Sequence, residues 1–187
     1  MKQVVAILLI LISGQIYTQN FENLAIGKLA VDFTLKTIQG ADVQLSRINA
    51  GHSVVLVVLR GWPGYQCPIC TRQVGGLVAD ADKFAENGAM VLMVYPGPSE
   101  QLQEHAKEFS EDFKFPENFY FTLDPDYSMI AKYGLRWDAP NETAYPSTFV
   151  INKKGEIVFS KISTTHGGRA NDEEIFEVLG KLKTRFK

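Results

Sequence analysis

The chain has 187 residues, with 19 Lys and Arg against 21 Asp and Glu, and its formal net charge is −2. Such a length suffices for one domain with a sizeable core, and the near-neutral charge gives no electrostatic reason to expect nucleic acid as a partner. Hydrophobic residues make up 45% and charged residues 21%, which excludes a disordered chain, and two cysteines exclude a multi-bridge disulfide scaffold.

The first residues have the pattern of a secretory signal peptide. Lys2 precedes an apolar run over residues 4–12, and small and polar residues follow. The run is shorter than the roughly 20 residues that a membrane-spanning helix needs. We therefore predict a signal peptide over residues 1–18, a domain over 22–187 and an exported protein, periplasmic or secreted. The protein would then contact the membrane only through this segment. The alternative is that the segment is not cleaved and stays as an N-terminal membrane anchor.

Beyond the signal, strand and helix patterns alternate. Two short runs around Gly40 predict a hairpin over residues 33–45, and β-branched or apolar runs predict buried strands over 54–59 and 89–95. Between them, a helix carries apolar residues at helical spacing from Val74 to Ala85 and should end near the Asn87-Gly88 pair. Ser99 is predicted to cap the next helix, whose apolar face is formed by Leu102, Ala106, Phe109 and Phe113.

The last third of the chain continues the alternation. A short helix is predicted over residues 128–133, and a hairpin over 148–159 turns at Gly155. Asn171 followed by Glu174 is typical of a helix start. The buried face of that final helix is predicted to contain Ile175, Val178, Leu179, Leu182 and Phe186. Buried strands joined by helices, with an antiparallel pair at the end, indicate an α/β sandwich with a mixed sheet.

The candidate catalytic residues are the two cysteines, Cys67 and Cys70, which are separated by two residues and follow a buried strand at the start of a helix. Unpaired N–H groups and the positive end of the helix dipole stabilise a thiolate there, so the cysteine pKa should fall. The second cysteine is placed to attack a mixed disulfide formed by the first. Pro68 suits the first helical turn, where its missing N–H costs nothing.

Three less reactive interpretations compete with a redox pair. A structural disulfide over so short a loop removes little chain entropy. A zinc site needs two further ligands, and His52, His105 and His166 are scattered along the chain. Two inert core cysteines are a third reading, which the position between a loop and a helix disfavours.

Several segments resemble the redoxin group of the thioredoxin superfamily, which includes the peroxiredoxins of the alkyl hydroperoxide reductase and thiol-specific antioxidant type. The resemblance spans about residues 24–182, and its most specific parts are the strand–CxxC–helix and the segment Pro-Ser-Thr-Phe-Val-Ile-Asn at 146–152. It implies a thioredoxin-like fold, with a mixed central sheet flanked by helices and an N-terminal hairpin extension, and thiol-based redox chemistry.

The sequence departs from the peroxiredoxin pattern in two places. Peroxiredoxins resembling this chain usually carry Pro-x-x-x-Thr/Ser-x-x-Cys, in which the cysteine attacks the peroxide. Counting from Pro63 puts Cys70 in the attacking position, whereas counting from the end of the strand puts Cys67 there, with Arg60 in the place of the proline, so the roles of the two cysteines stay open. Pro146 also replaces an arginine that peroxiredoxins commonly have. Thioredoxin-like reductases have a proline at this point, generally cis, so we predict a cis Tyr145–Pro146 bond facing the cysteines, with a trans proline as the alternative.

The candidate substrate-binding residues are Pro146, Arg60 and Trp62. Arg60 ends the buried strand, where it points either at the thiolate or at solvent. Trp62 either lines a groove or packs into the core. His166 near the cysteines raises the alternative of a copper site, although copper carriers of this superfamily normally have a wider cysteine spacing.

These observations predict an exported thiol-disulfide oxidoreductase of the peroxiredoxin-like group. It would cycle through a Cys67–Cys70 disulfide and reduce hydroperoxides or protein disulfides. The resemblance implies an external thiol reductant, such as a thioredoxin-like protein, and no bound organic cofactor. The alternative is a metal carrier, for copper, or a redox-silent binding module that uses the same fold.

Overall fold

The computed structural model describes residues 21–184. The predicted signal peptide over residues 1–18 and the predicted core residue Phe186 lie outside the described residues. Within the described part, none of the helices is both long and apolar enough to cross a membrane.

Seven strands form one mixed sheet in the order β2-β1-β5-β4-β3-β6-β7. In chain order the strands are β1 Thr34–Thr37, β2 Asp42–Gln44, β3 Ser53–Val58, β4 Ala89–Gly97, β5 Phe119–Pro125, β6 Ser147–Ile151 and β7 Ile157–Ile162. The helices are α1 Leu45–Ile48, α2 Pro68–Ala79, α3 Ala81–Glu86, α4 Leu102–Ser110, α5 Ser128–Lys132 and α6 Asp172–Thr184.

The centre of the sheet is built from parallel strands buried on both faces. β3 pairs in parallel with β4, and β4 with β5. The five residues from Val54 to Val58 are all fully buried, as a continuous run of apolar, mostly β-branched residues in a covered sheet requires. The outer pairings are antiparallel, β1 with β2 and β5 on one side, and β6 with β3 and β7 on the other.

Helices cover both faces of this sheet. Val55 and Val57 face the larger layer, where side chains of α2, α3, α4 and α6 pack around the two cysteines. Val54 and Leu56 face the opposite layer, which α1, α5 and the segment around Leu24 cover. Because successive side chains of a strand point to opposite faces, the two layers divide the residues of β3 between them.

Most predicted elements are confirmed, including the mixed sheet, the N-terminal hairpin, the β6–β7 hairpin and the start of α6. There the backbone N–H of Glu174 donates to Asn171 and that of Asn171 donates to Glu174, at 2.8 and 2.9 Å. The predicted core positions of α6 within the described part also pack in the larger layer.

Three details of the prediction were wrong. The predicted elements do not include β5, which lies between β1 and β4 in the sheet. The single helix predicted to end near the Asn87-Gly88 pair is two helices, because the chain turns at Asp80. Ser99 does not cap α4: Gln101 precedes this helix with φ of 60°, and no side chain caps it. The Ser99 backbone N–H instead bonds to Asp126 at 2.9 Å.

The link between β3 and α2 is shaped by contact with the neighbouring strand. Gly61 has φ of +64°, and a Cβ on it would lie 1.8 Å from the carbonyl oxygen of Pro96. Only glycine fits this close backbone approach. The Trp62 N–H donates to the same carbonyl at 2.9 Å. Residues 61 and 62 are thereby held against β4, and the segment that follows them places Cys67 at the start of α2.

Candidate active site

Cys67 and Cys70 occupy the first turn of α2, as predicted. Cys67 is the N-cap residue, Pro68 is the first residue of the helix and Cys70 is two residues further on. The Cys67 carbonyl already accepts the backbone N–H of Thr71 at 3.1 Å. Both cysteines are free thiols with side chains almost completely buried, at 1% and 0% exposure. The sulfurs therefore lie beside the positive end of the helix.

The surroundings of Cys67 favour its thiolate. The thiol of Cys70 donates a hydrogen bond to it, and this contact, with a backbone N–H from Cys70 and the charges of Arg169 and Arg60, lowers the Cys67 pKa to about 5 although burial opposes the shift. Hydrogen bonds and positive charges stabilise the anion more than the neutral thiol. Cys67 is consequently a thiolate at neutral pH.

Cys70 has the opposite character. Its hydrogen bond to Cys67 and its burial raise the Cys70 pKa well above the ordinary value. Donating to the neighbouring thiolate keeps the proton on Cys70, because two anionic sulfurs in contact repel each other. The pair therefore carries one negative charge, and this charge lies on the Cys67 sulfur.

Arg60 extends from the end of β3 toward Cys67. Its Nη1 lies 3.9 Å from the Cys67 sulfur and 2.9 Å from the Tyr65 hydroxyl. The residue is 2% exposed, so of the two orientations considered for Arg60, toward the thiolate or toward solvent, the structure has the first. A buried guanidinium this close favours negative charge on the sulfur.

A loop more than 80 residues away along the chain fixes Arg60. Arg60 Nε donates to Glu142 at 2.9 Å, and Nη2 donates to the carbonyl of Asn141 at 3.0 Å. The Thr143 hydroxyl donates to the Arg60 backbone carbonyl. Glu142 also contacts His166 Nε2 at 2.7 Å. Because Nε and Nη2 are engaged by this loop, Nη1 is the nitrogen directed at Cys67.

Arg169, in the loop before α6, is a second cation at the sulfurs, and it is not among the site residues predicted from the sequence. Both of its terminal nitrogens lie 3.4 Å from the Cys70 sulfur, and Nη2 lies 4.0 Å from that of Cys67. It also donates to Gln73 at 2.6 Å and to the His166 carbonyl at 3.2 Å. The one sequence signal was its place in the His-Gly-Gly-Arg segment after the last strand.

Trp62, a predicted substrate-binding residue, is half-buried and packs next to α4. The Trp62 ring stacks on His105, with centroids 3.5 Å apart, and it packs against the larger core layer. A role of Trp62 in binding substrate stays a prediction.

The predicted cis bond between Tyr145 and Pro146 was wrong: no peptide bond of the described residues is cis. Ala144 already pairs with Arg136, and the Pro146 carbonyl accepts the N–H of Ser163 at 2.9 Å, next to the pairing of β6 with β7. A trans bond continues this extended path into β6. Pro146 is buried, and its role toward substrate also stays a prediction.

Metal binding was the competing chemistry for this region. Among residues 21–184, no group of three or more His, Cys, Asp or Glu side chains is placed to hold a metal ion. His166 contacts Glu142, and the two cysteines contact each other and two arginines. The arrangement therefore favours reactive sulfur over a metal centre.

A buried strand, a CxxC sequence at a helix start and a single shared thiolate together define a thiol oxidoreductase site. The chain belongs to the AhpC/TSA family, whose model matches residues 26–160. The family match agrees with the predicted redoxin resemblance, and the alternative of a metal carrier or redox-silent module is not favoured. The chain is a thiol-dependent oxidoreductase.

Known proteins with similar sequence or structure include both peroxiredoxins and disulfide oxidoreductases. The chain is 26% identical to sporulation thiol-disulfide oxidoreductase A of Bacillus subtilis, covering 70% of each chain. It is 28% identical to the chloroplastic peroxiredoxin Q of Sedum lineare, covering 73% of this chain and 68% of the relative.

Among solved structures, a yeast mitochondrial 1-Cys peroxiredoxin matches with a TM-score of 0.68 and 19% identity, over 87% of this chain and 78% of that one. At this identity the likeness concerns the fold alone. It confirms the thioredoxin-like fold that the resemblance implied.

Proposed function

We propose that the protein reduces small hydroperoxides, with Cys67 as the attacking thiolate and Cys70 as the resolving thiol. The observation that carries this proposal is the asymmetry of the pair: Cys67 has a pKa of about 5, whereas the Cys70 pKa is raised. The thiolate is the nucleophile and the thiol is not. This asymmetry supports Cys67 over Cys70 in the attacking position, the choice that counting from Pro63 or from the strand end left open.

The proposed reaction has two chemical steps. The Cys67 thiolate attacks one peroxide oxygen, the S–O bond forms, the O–O bond breaks and the departing oxygen takes up a proton to leave as alcohol or water. Cys67 is thereby oxidised by two electrons to a sulfenic acid. The Cys70 sulfur, losing its proton, then attacks the Cys67 sulfur, and water leaves as the disulfide forms.

The two arginines supply positive charge where negative charge develops. In the first step charge moves from the Cys67 sulfur to the departing oxygen. Arg60 and Arg169 both reach within about 4 Å of that sulfur, and preorganised donors of this kind stabilise a transition state more effectively than water does. The Arg60 guanidinium needs no reorganisation, because its other nitrogens are already bound.

Burial of the sulfur favours a small substrate. Cys67 is 1% exposed, and thiol–disulfide exchange requires the attacking sulfur to contact a sulfur of the partner. A hydroperoxide reaches such a site with less displacement of the surrounding chain than a protein disulfide does. Reduction of protein disulfides is the second candidate, favoured by the CxxC spacing and by the relative described as a thiol-disulfide oxidoreductase.

The cycle needs an external reductant. A dithiol, such as that of a thioredoxin-like protein, would reduce the Cys67–Cys70 disulfide by exchange and be oxidised to a disulfide itself. The positive charges at the site stabilise the reduced, thiolate form, which makes the disulfide a stronger oxidant toward that partner.

Stopped-flow kinetics of the reduced protein with hydrogen peroxide tests the proposed function. We expect Cys67→Ser to abolish the fast phase and Cys70→Ser to retain it but stop at a sulfenic acid, detectable by mass after reaction with dimedone. A fast phase lost only in Cys70→Ser would reverse the assignment. Absence of peroxide reactivity together with fast reduction of an oxidised protein substrate would establish the second candidate instead.

We further propose that residues 1–18 direct export and that residues 22–187 form the mature domain. The apolar segment after Lys2 supports this proposal. The first 20 residues can be fused to a reporter enzyme that is active only after its disulfides form outside the cytoplasm. An active reporter and a shortened mature protein are expected; an inactive reporter, or full-length protein retained in the membrane, would contradict the proposal.

A further inference from the structure

Tyr65 lies beside the reactive sulfur and is not used in the steps above. It precedes Cys67 by two residues and is 44% exposed. Its hydroxyl oxygen accepts a hydrogen bond from Arg60 Nη1 at 2.9 Å, and the Arg60 guanidinium carbon lies 5.4 Å from its ring centroid. The same Nη1 lies 3.9 Å from the Cys67 sulfur. One nitrogen thus joins the phenol to the nucleophile.

The hydrogen of this phenol is available for a substrate. A tyrosine hydroxyl both accepts and donates a hydrogen bond, and in residues 21–184 the Tyr65 hydroxyl is found only as an acceptor, from Arg60. Two other tyrosines use this hydrogen within the protein: Tyr95 donates to Gln66 at 2.9 Å and Tyr133 to the Val31 carbonyl at 2.6 Å. Tyr65 differs from both, and it borders solvent.

We propose that Tyr65 is a catalytic residue that donates the proton taken up by the departing peroxide oxygen. This inference rests on the proposed hydroperoxide reduction. As the Cys67 sulfur bonds to one oxygen, the O–O bond breaks and the other oxygen takes the phenol hydrogen, leaving as alcohol or water. The phenolate remains next to the Arg60 guanidinium and regains a proton from solvent, which its exposure allows.

Two physical arguments support the assignment. A phenol is a much stronger acid than the water or alcohol that leaves, so the proton transfer is favourable. A phenolate formed 2.9 Å from a guanidinium nitrogen is stabilised by charge. Arg60 Nη1 also neighbours both the Cys67 thiolate and the Tyr65 hydroxyl. The two groups are therefore close enough to act on the two bonded oxygens of one peroxide, the thiolate on one oxygen and the phenol on the other.

The test compares substrates whose departing groups differ in their need for a proton. Tyr65→Phe removes only the hydroxyl and leaves an exposed ring in place, so folding is expected to be unaffected. Second-order rates with hydrogen peroxide, with peracetic acid and with iodoacetamide are divided by the thiolate fraction, measured from ultraviolet absorbance. Peracetic acid releases acetate and iodoacetamide releases iodide, and neither departing group requires a proton.

With hydrogen peroxide, the rate per thiolate of Tyr65→Phe should fall about 100-fold, the lower range for loss of a general acid. With peracetic acid and iodoacetamide it should stay within about twofold of the wild type. Tyr120→Phe is the matched control, because Tyr120 lies on β5 in the opposite core layer, and it should behave as wild type with all three reagents.

Two outcomes would overturn the assignment of Tyr65. An unchanged rate with hydrogen peroxide would show that the hydroxyl is not used, and an equal fall with all three reagents would show that it acts on thiolate access or geometry. Failure of the proposed function is separately visible, because the wild type would then react with iodoacetamide but with neither peroxide, and the Tyr65 proposal would fall with it.

Discussion

Two guanidinium groups reach the cysteine pair, one from the end of β3 and the other from the loop before α6, and they are held in different ways. Arg60 is 2% exposed and forms an ion pair with Glu142 at 2.9 Å. Arg169 is half-buried and contacts an amide and a backbone carbonyl. Within the described residues, it forms no ion pair with a carboxylate.

The difference predicts a division of labour. Both guanidinium charges lower the Cys67 pKa, but the charge of Arg60 is offset by Glu142, whereas no carboxylate of residues 21–184 pairs with Arg169. A buried, paired cation is costly to disturb, and a half-exposed one is not. Arg60 should therefore dominate the stability of the site, and Arg169 should dominate the charge state of the sulfur.

The largest effect is expected from removing the counter-ion of Arg60. Glu142→Ala leaves a buried guanidinium without its carboxylate, so the free energy of unfolding should fall by about 3–5 kcal/mol. Chemical denaturation monitored by circular dichroism measures this loss. Asp138→Ala is the matched control in the same loop, because Asp138 is 94% exposed and lies 4.0 Å from Arg136. Equal stabilities of the two variants would contradict the role given to Glu142.

Protonating the sulfur removes the anion that both arginines share. The Cys67 pKa is about 5 when folded, below the ordinary thiol value of about 8.5. Between about pH 5 and pH 8.5 the unfolded chain therefore binds more protons than the folded chain. The stabilisation of the reduced protein by the thiolate is complete above about pH 8.5 and is lost as the pH falls toward 5. The stability of the reduced form should rise with pH by at most about 1.4 kcal/mol per unit.

The oxidised protein provides the control for this pH dependence, since its Cys67–Cys70 disulfide has no thiolate to protonate. Denaturation of both forms between pH 5 and 8, with the difference plotted against pH, isolates the contribution of Cys67. Cys70 stays largely protonated in this range, in the folded chain because its pKa is raised and in the unfolded chain because an ordinary thiol has a pKa of about 8.5. A pH-independent difference would mean that Cys67 is not the titrating thiolate.

How far the sequence predicts this site depends on the distance between its parts along the chain. The helix start, Pro68 and both cysteines are contiguous, so local rules place them correctly. Glu142 is 82 residues from Arg60, and Arg169 is 99 residues from Cys70. No periodicity or spacing relates such residues, because their contact is created only when the sheet and α6 assemble.

The fold shows the same limit. β5 carries Phe119, Phe121 and Thr122, which favour a strand, yet its ends, an Asn118 turn and Pro125, resemble loop sequence, and pairing with β1 and β4 determines its structure. At Pro146 the resemblance suggested a cis bond, whereas hydrogen bonds around β6 require only an extended trans path. In each case contacts between distant segments outweigh the local pattern.

Arg169→Met is expected to show the opposite pattern to Glu142→Ala. In the oxidised protein, which has no thiolate, we expect a change in unfolding free energy below about 1 kcal/mol, typical of a partly exposed residue. In the reduced protein we expect the Cys67 pKa to rise by about one pH unit, because the nearest uncompensated charge is removed, and this rise lowers the stability of the reduced form by about 1.4 kcal/mol at neutral pH. Thiolate absorbance titrated from pH 4 to 8 measures the shift. At pH 7 most of Cys67 would remain a thiolate, so rates must be compared near pH 5.

Arg60→Met completes this pair of variants. It should raise the Cys67 pKa less than Arg169→Met does and destabilise the protein more. If Arg60→Met instead has the larger effect on the pKa and the smaller effect on stability, the division of labour between the two arginines is wrong.

The smallest effect is expected at Gln73, which orients Arg169 without carrying charge. Its side-chain oxygen accepts a hydrogen bond from Arg169 at 2.6 Å. Gln73→Ala should cost about 0.5 kcal/mol of stability, the lower end of the net value of one hydrogen bond, and raise the Cys67 pKa by less than Arg169→Met does. Arg72→Ala, the exposed neighbour on the same helix, is the control. A Gln73 effect as large as that of Arg169 would show that the guanidinium stabilises the thiolate only when this amide fixes its orientation.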